Sequence, residues 1–407
     1  MFHLYLMLAY TIPNIYVFFR IMYLFIGKGY RLTYTVIYLL LAAVYPATRY
    51  LSHLLPDRLE EALSVVANYL LPFYLYVFLF LLLYELFLLL NAFLRLVSKE
   101  KRKSGRFRLT ALASIILLSL AVVTGGIINM NTIRASHYNI VVPQKDSPLN
   151  HLRIAFVADL HLMENSSLEF VEQYVRKVNA LKPDIVLYGG DIVEGRDENR
   201  ISEAILAALR KVQSRYGSFG VPGNHESYGS RGNGTFYERA GINLLLDTLV
   251  NVDNSFYLAG RLDERSRNRK SAAEIMDNLP STPPSKLPSE PSGPTEPSRQ
   301  SGLMELAGAS DISGQSGLSL PVIMLDHRPT QLQEVSQTPV DVQFSGHTHN
   351  GQLFPINLYM RTLYELSWGH KQIRDTHFFV TSGLRLWGPP VKTAGKSEIM
   401  VVDVRFE

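Results

Sequence analysis

Apolar and polar positions divide this chain near residue 130. Before that point lie four long apolar stretches, at about 4–26, 32–51, 69–97 and 109–130. Each is close to the ~20 residues that span a bilayer as a helix. The first contains Pro13, Asn14 and Arg20, which predicts a kink and an arginine that snorkels or finds a partner. The second carries Pro46 and Arg49 near its end, so two-span and three-span arrangements stand beside the four-span one. Glu85 falls in the middle of the third. A carboxylate at that depth is a candidate functional group. With no second intramembrane acid, it reads as a neutral or paired side chain inside the bundle, with Arg20 as a partner.

Beyond residue 150 the pattern becomes alternating strand and helix. Residues 152–158 (LRIAFVA) form an apolar run that fits a buried strand and breaks at Asp159-Leu160-His161. A helix follows, with Ser166 and Glu169 as a capping box, apolar positions at Leu168, Val171, Val175, Val178 and Leu181, and Pro183 as its stop. Residues 184–188 predict a second strand ending in Gly189-Gly190-Asp191, and 201–215 a second amphipathic helix. A third strand near 219–221 ends in Pro222-Gly223-Asn224-His225-Glu226. Further strands at 321–325 and 340–344 end in Asp326-His327 and in Ser345-Gly346-His347-Thr348-His349-Asn350-Gly351-Gln352, and 398–404 alternates as a last strand. The domains expected are a transmembrane region at 1–130, a linker at 131–149 and a soluble domain at 150–407. Seven of the 21 prolines lie between Pro280 and Pro297 among Ser, Thr and Glu, so about 262–318 reads as a disordered insertion.

Charge sets an orientation for the membrane half. Lys99, Lys101, Arg102, Lys103, Arg106 and Arg108 precede the fourth apolar stretch, and Lys28 and Arg31 follow the first. Those two loops share one side, whereas the loop at 52–68 has Arg58 against Asp57, Glu60 and Glu61. The basic side belongs in the cytoplasm. The chain therefore reads as a multi-pass protein of the cell membrane with its soluble domain outside the cytoplasm. The basic run ahead of the last apolar stretch and Thr124-Gly125-Gly126 also has the form of a signal segment, which gives the same side. In all, the 407 residues are 47% hydrophobic and 19% charged, with a net charge of +4 and no cysteine. A wholly soluble protein is excluded, as are disulfides, thiolate metal sites and a cysteine nucleophile. The small net charge gives no reason to expect nucleic acid as a partner.

Candidate chemistry gathers at the strand ends. Five of the eleven histidines, His161, His225, His327, His347 and His349, stand just past a strand, together with Asp159, Asp191 and Asn224. Each piece alone is weak. In their order, D-x-H, GGD, GNHE, a strand-final His and GHTH, they resemble the calcineurin-like metallophosphoesterases. The ending GHTHNGQ with the later TSGL and GPPVK looks most like the YkuE-type branch. The resemblance covers about 150–261 and 319–407.

It implies a fold and a site. The fold would be an α/β four-layer sandwich, two mixed β-sheets flanked by helices, preceded by an α-helical transmembrane bundle. Asp159, His161 and His349 would hold one divalent ion and Asn224, His327 and His347 a second, with Asp191 bridging. Imidazole, carboxylate and amide ligands suit Mn, Fe, Zn or Co. A bridging hydroxide would attack phosphorus in line, and His225 would protonate the leaving oxygen or stabilise charge. The reading is thus a membrane-anchored phosphohydrolase acting on a phosphate ester or pyrophosphate, of an envelope or lipid-linked compound, at the lipid bilayer. The alternative is a non-catalytic metal-binding membrane sensor or scaffold. Two departures from the family pattern stand out: Glu194 where many relatives have Asp, and Arg385 after the SGL element. Arg385 reads as a solvated surface residue rather than a phosphate contact.

Overall fold

A computed structural model describes residues 2–195, 197–226, 235–280, 320–386 and 388–407. Helices α1 (Phe2–Leu24), α2 (Arg31–Tyr50), α3 (Asp57–Leu94), α4 (Lys99–Lys103) and α5 (Gly105–Asn131) come first, and four of them carry the four apolar stretches. Among the described residues, α3 and α5 are long and apolar enough to cross a membrane. The polar groups of α1 and α2 dilute their apolar runs, and several are spent on contacts inside the bundle. Tyr38 Oη donates to Asn14 O at 2.9 Å, and Tyr10 Oη to Ala42 O at 2.7 Å. Tyr10, Val17, Tyr38, Tyr74, Leu81 and Ile115 form the packed centre. Arg20 Nε meets Glu85 Oε1 at 2.5 Å, the pairing expected of an acid at that depth.

The remainder folds as two six-stranded sheets packed face to face. The strands are β1 (Ile133–Val142), β2 (His151–Val157), β3 (Ile185–Tyr188), β4 (Ser218–Gly220), β5 (Asn243–Leu244), β6 (Thr248–Val252), β7 (Phe256–Gly260), β8 (Val322–Leu325), β9 (Val342–Ser345), β10 (Gly369–Ile373), β11 (Thr376–Val380) and β12 (Ser397–Phe406). One sheet runs β1-β12-β2-β3-β4-β5, the other β10-β11-β9-β8-β7-β6. Both are mixed. In the first, β12 is antiparallel to β2; in the second, β10 and β6 are antiparallel edge strands on an otherwise parallel sheet. Phe156, Phe344 and Phe379 interlock between the sheets, with ring centroids 5.0 and 5.2 Å apart. Helices α6 (Leu168–Leu181) and α7 (Glu203–Leu209) cover the outer face of the first sheet; α9 (Ala272–Met276) and α10 (Leu332–Val335) cover the second. The short helix α8 (Thr235–Arg239) joins the layer on the first sheet through buried Phe236 and Tyr237, whereas α11 (Ile356–Leu363) buries none of its residues.

Four sequence expectations need correction. The stretch 131–149, expected as a linker, supplies β1, which pairs with β12 over ten residues and buries Ile133, Ile140 and Val142. Its Arg, Ser, His and Asn positions hide the alternation because most of them face solvent on a sheet edge. Residues 262–280, expected to open a disordered insertion, are folded: Ser271 and Glu274 form a full capping box, and Ala272, Ile275 and Met276 are buried. The rest of that insertion, 281–318, lies outside the described residues. The helix expected over 201–215 spans only Glu203–Leu209, and the N-cap of α6 is Ser167, one residue beyond the expected Ser166.

The position of the membrane helices relative to the sheets follows from register. β1 begins two residues after α5 ends, and Ile133 pairs with Ser397. β12 is antiparallel to β2 with Met400 opposite Phe156, so Ser397 stands level with Asp159, just past the C-terminal end of β2. The edge of the sandwich carrying the strand-end loops is therefore the edge from which α5 departs. Tyr76, Val123, Leu353 and Val391 pack together across this junction. Tyr76 Oη donates to Phe354 O at 3.0 Å, and Asn129 Nδ2 to Lys392 O at 2.8 Å.

Candidate metal centre

The parallel strands β2, β3, β4, β8 and β9 all point their C-terminal ends to one edge, and short loops there carry every sequence-predicted site residue. The loops lock to one another through backbone bonds: His161 N donates to Asp191 O at 3.0 Å, Gly346 N to His327 O at 2.9 Å and Leu384 N to Ala158 O at 3.0 Å. Asp159, His161, Asp191, His347 and His349 have φ values of 58°, 47°, 51°, 70° and 48°. That left-handed backbone costs a non-glycine residue about 1–3 kcal/mol, and such residues cluster at functional sites. At Gly190, with φ of 87°, a Cβ would meet His327 Nδ1 at 2.6 Å, so the GGD loop requires glycine there.

The side chains form three overlapping groups whose ligand atoms lie within 4.8 Å of one another: Asp159, His161 and His349; His161, Asp191 and His225; Asp191, His327 and His347. His349 Nε2 lies 3.7 Å from Asp159 Oδ1 and 3.3 Å from His161 Nε2. His327 Nε2 lies 3.2 Å from Asp191 Oδ2 without a well-directed hydrogen bond. Asn224 is buried beside them. Its Oδ1, His327 Nε2 and His349 Nδ1 are buried with no hydrogen-bond partner. Orphaned buried lone pairs are costly in a folded protein unless something else satisfies them. All three are of the nitrogen and oxygen types that divalent transition ions accept, so the residues present fit such ions.

A supporting layer fixes the orientation of these groups. Glu194 takes His161 Nδ1 on one oxygen at 2.8 Å and His225 Nδ1 on the other at 3.0 Å, which turns both Nε2 atoms away from it. His327 Nδ1 donates to Gly189 O at 2.7 Å. The Glu226 carboxylate accepts from the backbone N–H of Asp191, Ile192, Val193 and Gly223 at 3.1, 2.7, 3.3 and 2.8 Å. Tyr237 Oη donates to it at 2.8 Å. One side chain thus joins the GGD and GNHE loops. On the far side, buried Lys392 donates to the carbonyls of Ser382, Gly383 and Lys396 at 2.7, 2.7 and 2.9 Å.

Burial and mutual charge pull the ionisations apart. Burial, reinforced by Asp191, pushes Asp159 up to about 6. Burial would lower His327, but the Asp191 carboxylate outweighs it and raises the imidazole to about 10, while His327 holds Asp191 well below the usual range against its own burial. Burial and the facing His327 bring His347 down to about 2, and burial with His161 keeps His349 well below its ordinary value. Glu194 drops to about 2 because its two histidine partners overcome its burial. His347 and His349 are therefore neutral imidazoles with a lone pair to give.

Glu226 and Lys392 were not read as site residues from the sequence, and Glu194 was noted only as a departure from pattern. For Glu226 the signal was its place directly after Asn224-His225. Arg385 is not a solvated surface group: its guanidinium stacks 4.6 Å over the Phe170 ring, and burial lowers its pKa.

The family described as calcineurin-like phosphoesterase matches residues 152–351. Among curated proteins, the chain is 28% identical over 251 residues to an uncharacterised metallophosphoesterase of Helicobacter pylori, covering 61% of this chain and 58% of that one. It is 27% identical over 314 residues to a transmembrane protein with metallophosphoesterase domain of Danio rerio, covering 74% and 64%. It is 26% identical over 240 residues to the UDP-2,3-diacylglucosamine pyrophosphatase LpxG of Chlamydia trachomatis, covering 55% and 71%.

Proposed function

Through residues 152–351 this chain belongs to the calcineurin-like phosphoesterases, and from that premise we propose that it is a membrane-anchored, metal-dependent phosphohydrolase. The observation that carries the proposal is the convergence of three ligand groups that share Asp191 and His161. In this reading Asp159, His161 and His349 hold one divalent ion, Asn224, His327 and His347 hold the other, and Asp191 serves both. Two such ions supply positive charge for the phosphoryl oxygens and a nucleophile derived from water at neutral pH. The ion pair is of the Mn, Fe, Zn or Co type.

The chain's own residues do the rest. Glu194 holds His161 and His225 by Nδ1, so Nε2 of His225 is the nitrogen that passes a proton to the leaving oxygen. Glu226 holds the GGD and GNHE loops at fixed separation, which keeps Asp191 and Asn224 aimed at one point. The left-handed backbone at five of the seven ligand positions gives those side chains little freedom to reorganise.

The substrate in this reading is an envelope or lipid-linked phosphate ester or pyrophosphate. Two facts support it: the candidate metal centre lies at the edge from which α5 departs, and the Chlamydia relative is named as a pyrophosphatase of UDP-2,3-diacylglucosamine, a diacylated compound. The multi-pass arrangement, the position of the domain outside the cytoplasm and the YkuE-type assignment belong to the same proposal. They rest on the basic loop at 99–108 and on the GHTHNGQ element.

The test uses the full chain in detergent, stripped of metal and then given Mn²⁺, with nitrophenyl phosphate and the matching diester as substrates. Metal-dependent turnover that disappears in Asp191→Ala is expected. A folded chain that takes up metal but turns over neither these substrates nor a bilayer-borne phosphoester is the sensor of the alternative reading.

A further inference from the structure

Where α11 meets α1 and α3 a half-open cavity of about 190 Å³ is lined by Tyr10, Asn14, Leu71, Tyr74, Leu353 and Ile356 among others. Its lining is mostly apolar, so it favours hydrocarbon over water. Asn14 and Tyr10 spend their polar groups inside the bundle: Asn14 Nδ2 donates to Tyr10 O at 2.9 Å, Asn14 Oδ1 accepts from Tyr38 Oη at 3.0 Å, and Tyr10 Oη donates to Ala42 O at 2.7 Å.

The outer surface of α11 continues the same chemistry. None of its eight residues is buried, and Ile356, Tyr359, Met360 and Leu363 recur at the spacing of one helix face. Phe354, Tyr359 and Leu363 are 51%, 62% and 55% exposed. Such a cluster of exposed apolar side chains marks an interaction surface. Here it adjoins α3, one of the two helices long and apolar enough to cross a membrane, through the Tyr76 bond to Phe354 O. An apolar-faced helix beside a spanning helix belongs in the headgroup and acyl boundary of the leaflet.

We propose that this junction is a lipid-tail site: α11 lies in the leaflet, and the cavity beside it takes the acyl chain of a bilayer lipid. Leu353 and Ile356, which line it, follow the candidate ligand His349 by four and seven residues. The inference deepens the proposed function, resting on its membrane-anchored reading, and specifies a substrate class whose phosphate is joined to an acyl-bearing lipid.

The experiment reconstitutes the full chain in nanodiscs containing phosphatidylcholine with a diazirine on its acyl chain, and maps adducts after irradiation by mass spectrometry. Adducts are expected on 353–356 as well as on the exposed Leu117 and Leu118 of α5. Leu75→Trp and Leu71→Trp narrow the cavity. In variants that melt as the parent does, they should lower the 353–356 yield roughly tenfold, the loss of a couple of buried methylene groups, and leave the α5 yield unchanged. Absence of adducts on 353–356, or adducts indifferent to both tryptophans, overturns the site. No turnover is needed, so a chain that labels as expected yet hydrolyses nothing refutes the hydrolase and not the lipid site.

Discussion

At the residue scale, carboxylates that touch no substrate carry much of the design. Glu194 fixes two imidazoles at once, and partners of this kind govern metal affinity. Glu194→Gln keeps the shape but not the charge, and it should weaken metal binding roughly 10–100-fold by titration with Mn²⁺. Its pH behaviour has a definite sign. Its pKa falls from 4.5 to about 2 on folding, so its stabilisation is present in full above about pH 4.5 and is lost as pH falls through 2. In the metal-free protein, the melting-temperature gap between parent and Glu194→Gln should be widest between about pH 4.5 and 6.5, narrow below that window, and shrink at higher pH as His161, whose pKa Glu194 helps to raise, loses its proton. A gap that widened below about pH 4.5 would contradict this assignment. Glu226→Ala strands four backbone N–H groups in the interior. Urea unfolding should show a loss of about 3 kcal/mol or more, since each stranded buried donor costs about 1–3 kcal/mol.

At the element scale the bundle and the sandwich make different demands. Arg20 and Glu85 join α1 to α3 where neither charge has an easy alternative partner. The double replacement of Arg20 and Glu85 by Ala should destabilise less than the two single replacements added together, with a coupling of about 0.5–3 kcal/mol in a double-mutant cycle measured in detergent. Additive effects would show the pair to be incidental. The strands read most readily from the sequence, β2, β3, β8 and β9, are short, mostly apolar runs that each end in a motif of candidate ligands. β7 and β11 are as deeply buried but end in no such motif, and they were not legible. β1, β5, β6 and β10 were not legible because they lie at or near sheet edges, where polar side chains interrupt the alternation. The site's ligand candidates were visible because each follows a strand directly. Its supports were not, because Glu226 acts on backbone groups 30 or more residues away in sequence and no spacing encodes that.

At the scale of the whole molecule, the absence of cysteine makes topology directly measurable. A single cysteine at Arg176, exposed on α6, should react with a membrane-impermeant maleimide in intact cells, and one at Lys101 should react only after lysis. The reverse pattern would place the domain in the cytoplasm. The way α5 enters the sheet has a further consequence. Thr132 alone separates the last residue of α5 from the first of β1, so there is no slack between them. A bilayer that thins or thickens changes the tilt of a spanning helix, and here that tilt turns the sandwich about a fulcrum at Thr132. A ten-residue strand reaches about 33 Å from the fulcrum, so a swing of about 10° carries its far end about 6 Å. Asp159 sits level with the start of β1 and two strands across, about 10 Å away, and moves less than 2 Å. The reacting centre is thus the quietest part of a lever whose far end follows every fluctuation of the membrane.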